Sequence, residues 1–183
     1  CFKIKYVFPK AHAAAYVSAA LRLAWFKIYK PVEYYATFLT VRGEDLDAKA
    51  ILAGRAYVRG RMQEIKALGR DASATQQGEF TALQVVQEML ARGVEFLPID
   101  LYRSKATTFT IEDGKIRLAF SSIKGLGVSA AHALEAARED GEGEYLSVED
   151  ISRRAGVSSA VIESLRDLGA LEGIPESSQL TLF

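Results

Sequence analysis

"IKGLGVSAAHALEAARE", residues Ile123 to Glu139, sets two glycines two positions apart immediately before an apolar-periodic run. Gly125 and Gly127 let the backbone turn tightly and approach a ligand closely, and Ser129 stands where it can cap the helix that follows. The start of that helix directs free N–H groups outward, an arrangement suited to a phosphate oxygen. A strand-to-helix turn with no ligand satisfies the same letters, because a lone Gly-x-Gly is a weak motif. An internal echo favours the functional reading. "GVSAAHALEAARED" from Gly127 is repeated as "GVSSAVIESLRDLG" from Gly156, 29 residues on, and Arg138 as Arg166, 28 residues on. Paired hairpin-and-helix units hold the sugar-phosphate backbone of duplex DNA without reading its bases. The candidate contacts are therefore Gly125, Leu126, Gly127 and Ser129, with Gly156 in the echo. Ser129 and His132 occupy places where Lys or Arg would strengthen the grip, so it is expected to be modest.

Strand signals lie just before this stretch. "VEFLPI" carries Pro98 and reads as an edge strand, while "TTFTI" and "IRLAF" flank "EDGK", whose Asp113-Gly114 is a hairpin turn. A small antiparallel sheet is expected between residues 94 and 120. Helices fill the region before it. "AHAAAYVSAALRLAWFKIYKP" reads as a helix, with Val17, Leu21, Ala24 and Ile28 at helical spacing and the stripe widened by Ala20 and Trp25. Pro31 ends that helix and opens the next, "PVEYYATFLTV". "EDLDAKAILAG" and "RAYVRGRMQEIKALGRD" give two more, with Gly60 weakening the second. After a polar joint, "DASATQQG", comes "EFTALQVVQEMLARG", closed by Gly93.

Arg55, Arg59, Lys66 and Arg70 fall within about 60° of one another at 100° per residue. They form one basic stripe, either a solvated helix face or a surface that tracks phosphates. Near the front, Lys10 and His12 flank a helix start among small alanines. Lys suits a triphosphate as a point charge and His a hydrogen bond beside it, although a surface Lys and a helix-start His read equally from spacing. The chain closes on "PESSQLTLF", a polar spacer followed by Gln179, Leu180, Thr181, Leu182 and Phe183. Large apolar side chains at a tip either fold back or are handed to a partner.

With 49% hydrophobic and 25% charged residues, the composition is that of a globular protein, which excludes a disordered or fibrous chain. No apolar run is long enough to span a bilayer, so no membrane partner and a cytoplasmic place are expected. One cysteine and two histidines exclude an internal disulfide and argue against a structural zinc site. The net charge of zero conceals an asymmetry: residues 1 to 42 carry +6, and Glu135 to the end carries −7. A basic front can meet phosphates, whereas the acidic rear must use backbone amides or local arginines. Cys1 stands where an initiator Met is usual, so a piece of a longer protein is expected.

The block "KIKYVFPKAHAAAYVSAALRLAWFKIYKPVEYYATFLTVR" resembles the fingers of PolC-type bacterial DNA polymerase III alpha subunits, the C-family replicative polymerases. "FLPIDLYRSKATTFTIEDGKIRLAFSSIKGLGVSAAHALEAARE" with "YLSVEDISRRAGVSSAVIESLRDLGAL" resembles that family's passage into a tandem helix-hairpin-helix region. "QLTLF" resembles its sliding-clamp pentapeptide. The resemblance implies that Lys10 and His12 bind the incoming deoxynucleoside triphosphate. It implies that the hairpins hold primer-template DNA, and that Gln179, Leu180, Leu182 and Phe183 bind the sliding clamp, the beta subunit. Other replicative holoenzyme subunits are implied as partners. The parent enzyme would be a DNA-directed DNA polymerase in the bacterial replisome. Its Mg²⁺ ions would sit on palm carboxylates N-terminal to Cys1, since Glu44, Asp45, Asp47, Glu112 and Asp113 read as helix-start and turn acids. This fragment is therefore not expected to be active alone.

The expected fold is mainly α with a small antiparallel β-sheet. Distal fingers helices over 1–93 precede a sheet joint at 94–122, a tandem helix-hairpin-helix region at 123–173, and a flexible linker and tail at 174–183. The rival readings are a stand-alone non-catalytic adaptor that binds DNA and clamp, and a helical scaffold that binds no nucleic acid.

Overall fold

The computed structural model describes residues 9–43, 46–139 and 143–177. Eight α-helices and three short strands are found among them. The Asp113-Gly114 turn forms as expected, both residues having positive φ (50° and 77°). It joins β2 (Thr110–Glu112) to β3 (Lys115–Arg117) with Ile111 opposite Ile116. Positive φ at both turn positions matches the twist of the flanking strands, which is why Asp-Gly works there. The sheet is mixed and not antiparallel throughout. β1 (Phe96–Leu97) lies parallel to β3 on its other side, giving the order β1-β3-β2. Residues 98–109 return the chain across the sheet between β1 and β2. That crossover is fixed by Asp100, whose carboxylate accepts the N–H groups of Tyr102 (2.8 Å) and Arg103 (3.1 Å). Buried Ser104 donates to the carbonyl of Leu118 (2.8 Å).

Helices α2 (Pro31–Arg42), α3 (Ala48–Leu52), α4 (Gly54–Leu68) and α5 (Ala74–Ala91) build the first part of the core. Tyr35, Leu39, Ile51, Val58, Leu83, Val86 and Met89 are buried. α4 runs through Gly60 unbroken. α5 begins inside the stretch expected as a polar joint, because Ser73 and Gln76 make a reciprocal capping box: Gln76 N–H to Ser73 Oγ (3.2 Å), Ser73 N–H to Gln76 Oε1 (2.8 Å).

α1 (Lys10–Tyr29) forms as a helix, as its spacing predicts, and ends where Pro31 opens α2; none of its residues is buried. Val17, Leu21 and Ile28 are 58%, 66% and 64% exposed. On another side of the helix, Leu23 and Phe26 line an open apolar cleft with Phe38 and Val41 of α2. Lys27 ties α1 to α5 at Glu88 (2.8 Å) and lies over the rings of Tyr34 and Tyr35. Burial, and next the nearby Glu88 carboxylate, push the Tyr35 hydroxyl up to about 12.

The last part is a second helical cluster of α6 (Val128–Ala137), α7 (Val148–Ala155) and α8 (Ser159–Asp167). Leu134, Ile151 and Leu165 are its buried centre. The spacer expected to reach away as a linker from residue 174 is docked as far as the structure describes it. The carbonyls of Pro175 and Glu176 accept the N–H groups of Val148 (2.9 Å) and Glu149 (3.2 Å), and the Ser177 hydroxyl donates to Glu149 (2.9 Å). Arg166 holds Glu176 with two bonds of 2.8 and 3.0 Å.

Candidate nucleic-acid interface

Two tight turns feed two helix starts in the final cluster. In the first, Gly125 has φ +83°, Leu126 is buried with its N–H on the carbonyl of Ile123 (3.0 Å), and Gly127 is the N-cap of α6. In the second, Gly156 has φ +61°, Val157 is buried, and Ser158 is the N-cap of α8. Ala131 N–H returns to the carbonyl of Gly127 and Ile162 N–H to that of Ser158. Gly125, Leu126 and Gly127 thus correspond to Gly156, Val157 and Ser158.

This register corrects two readings. The sequence echo equated Gly127 with Gly156, but Gly127 is extended (φ −70°) while Gly156 is a left-handed helix cap. The letters Gly-Val-Ser coincide; the turn geometry repeats two residues earlier in the first unit. Ser129 is also not the cap. Gly127 takes that position, leaving Ser129 in the first turn of α6 with an exposed side chain. An N-cap needs extended φ and ψ, and Gly127 supplies them as α6 starts one residue after it.

The first-turn N–H groups of Val128, Ser129 and Ala130 have no acceptor among the described residues. Those of Ser159 and Ala160 on α8 are likewise open. Both turns are exposed at Gly125, Gly127, Gly156 and Ser158. Each helix start therefore offers oriented donors at the positive end of a helix dipole, to an oxygen that can come close where no Cβ intervenes. A Cβ on Gly127 would meet only the Ser129 hydroxyl, at 4.0 Å, and the space over Gly125 is empty.

The arginines of the acidic rear are engaged internally. Arg154 is only 2% exposed in its side chain, bonds the carbonyl of Ala137 (2.6 Å) and stacks over Tyr145 at 4.6 Å. Arg138 bonds the carbonyl of Ser104 and Glu135. Lys124 is the exposed cation at the first turn. It lines a cleft with Thr75 and Glu79 of α5, and a second with Ser164 of α8 and Leu168 just after it. The sequence reading passed over Lys124, although it immediately precedes Gly125 in "IKGLG". Lys49 to Asp167 closes α3 onto α8 beside it.

Elsewhere the candidate residues are dispersed. Lys10 and His12 are both exposed in the first turn of α1, but two residues on a helix are about 200° apart, so they face different sides. His12 leans on Tyr16 with ring centres 4.4 Å apart. Arg55, Arg59 and Lys66 form an exposed flank of α4 with no ion pair among the described residues. Arg70 leaves the stripe, because α4 ends at Leu68 and Gly69 (φ +56°) turns the chain into a short 3-10 segment. Arg61 of the same helix is paired instead, to Glu79 at 2.7 Å, and that bond holds the Glu79 carboxyl below the usual carboxylate range. Gln179, Leu180, Leu182 and Phe183 lie outside the described residues.

Of the acids read as helix-start and turn acids, Asp47 caps α3 by accepting Lys49 N–H (2.9 Å), Glu112 is held by Arg117, and Asp113 occupies the hairpin turn, while Glu44 and Asp45 lie outside the described residues. Among the described residues no three His, Cys, Asp or Glu side chains converge as a metal site. Among them, too, no helix is long and apolar enough to cross a membrane.

Residues 93–180 match a family model described as a helix-hairpin-helix motif. All 183 residues align at 46% identity with the DNA polymerase III PolC-type of Bacillus subtilis, at 45% with that of Halalkalibacterium halodurans and at 44% with that of Listeria innocua. The chain spans only 12–13% of the length of these relatives.

Proposed function

We propose that this chain, homologous throughout to PolC-type DNA polymerase III, is a segment of a DNA-directed DNA polymerase that acts in DNA replication. The full-length identity at 44–46% carries the reading. Within the parent enzyme, α6 and α8 grip primer-template duplex through backbone donors at their N-termini, aided by Lys124. The helix-hairpin-helix match and the open first-turn amides support this role. α1 belongs to the fingers, with Lys10 and His12 on the side of the incoming deoxynucleoside triphosphate and template. The α4 flank of Arg55, Arg59 and Lys66 follows the phosphate backbone, with Arg70 beyond the helix end. Gln179, Leu180, Leu182 and Phe183 tether the enzyme to the sliding clamp, and other replicative subunits assemble around it. Nucleotidyl transfer and its Mg²⁺ fall to residues of the parent outside this chain.

The test is Gly127→Val in the full-length polymerase. Because Gly127 has an ordinary φ and room around it, the fold should tolerate the change, and the added side chain should obstruct only a close phosphate. Duplex affinity should fall by a similar factor on unrelated sequences. Unaltered binding by a folded variant would make the turn purely structural.

A further inference from the structure

We propose that the outer face of α1 is the seat of a second helix, supplied by the remainder of the same polypeptide. The inference rests on the polymerase reading, in which this chain is a segment of a longer protein. Ala14, Val17, Leu21, Ala24 and Ile28 follow one another at intervals of three, four, three and four residues. At 100° per residue they lie within about 80° of one another. A 3.5-residue period of this kind is the signature of a seam between two helices, in which each apolar knob enters a hole on its neighbour.

The face is suited to protein, and among the described residues nothing buries it. Val17, Leu21 and Ile28 are each more than half exposed. The cleft that α1 shares with α2, lined by Leu23 and Phe26, and the Lys27 pair to Glu88 of α5 lie roughly 150° around the helix from the seam. Ala14 and Ala24 alternate with the larger residues, so a neighbouring backbone can come near while Val17, Leu21 and Ile28 fill the gaps. Lys10 stands on the same line at the start of the helix, but from Ala14 to Ile28 the face holds no cation, which favours protein over a nucleic-acid backbone along that length. A contiguous apolar patch of this sort marks an interaction site. The relatives are far longer than this chain, which is 12–13% of their length. A partner helix from the same polypeptide is held nearby at high effective concentration, which favours it over a second copy.

Photo-crosslinking in the full-length polymerase identifies the occupant directly. Leu21→p-benzoylphenylalanine and, separately, Ile28→p-benzoylphenylalanine place the probe in the seam; Ala15→p-benzoylphenylalanine places it on the opposite side. After irradiation, the seam probes should link, several-fold above the Ala15 control, to one helical segment of the same polypeptide outside these 183 residues. A band at twice the mass would identify a second copy, and a link to added primer-template would identify DNA. A link to another part of this chain, or yields no higher than the control at both seam positions, would remove the external helix. Any of these four results overturns the proposal. Primer extension by the same preparations reports on the polymerase reading independently.

Discussion

Arg117 is 6% exposed in its side chain and is held from two directions. Its guanidinium donates to both oxygens of Glu112, at 2.6 and 2.7 Å, and to the carbonyl of Pro98 at 2.8 Å, so one residue ties β3 to β2 and to the residue that follows β1. Those bonds from Arg117 hold the Glu112 carboxyl below the ordinary Glu range. A carboxylate depressed in the folded state contributes stability that is fully present above its unfolded pKa, about 4.3, and lost as pH falls through the folded value. Glu112→Gln should therefore cost about 2–3 kcal/mol at pH 7. The difference from wild type should narrow as pH drops below about 4, measured by denaturant titration across that range. A gap that stayed constant into acid would mean that Arg117 is served by another group. At this scale the sequence was informative about residue types and silent about partners. Asp113-Gly114 announced its turn because two positive φ values leave few alternatives. Glu112 read as a turn acid because nothing in the linear chain shows a buried guanidinium five residues away.

Among the elements, the repeat offers a sharp test of how letters map onto geometry. The structural register makes Gly125 and Gly156 the equivalent left-handed positions, and leaves Gly127 in a conformation open to any residue. Gly125→Ala and Gly156→Ala should each cost about 1–2 kcal/mol, and Gly127→Ala less than about 1 kcal/mol. Urea midpoints of the three variants suffice to rank them. Equal costs at Gly127 and Gly156, with none at Gly125, would instead support the spacing suggested by the letters. The hairpin and every helix but α7 were legible in apolar period and breakers, which are local signals. Three further features were not. The Ser73 and Gln76 capping box was spelled in the chain but hidden in a polar run that resembled a joint. The stripe on α1 specified a face and could not specify which neighbour would cover it. The parallel pairing of β1 with β3 also depends on a crossover that no strand signal encodes.

For the whole molecule, the tail is the part on which the tethering reading depends, and its anchor is visible. Truncation before Gln179 leaves every described contact of Pro175, Glu176 and Ser177 in place. In the full-length polymerase it should abolish retention on the sliding clamp and leave amide exchange at Val148 and Glu149 unchanged. Truncation before Pro175 should also accelerate exchange at those two amides, because their acceptors go with it. Hydrogen exchange read on the peptide that contains α7, beside a clamp pull-down, separates the two effects. Clamp binding that survives loss of Gln179 to Phe183 would assign the tether elsewhere.

The anchoring of Ser177 to Glu149 sets the length of a leash. From Ser177 to Gln179 there are two Cα steps, at most about 8 Å when fully drawn out. With the terminal pentapeptide seated on the clamp, the ring cannot trail behind the polymerase on a slack cord. On the tethering reading the ring would ride against the rim of α7 and α8, and a tilt of that lobe on the duplex would pass to the ring as though the two shared a short axle.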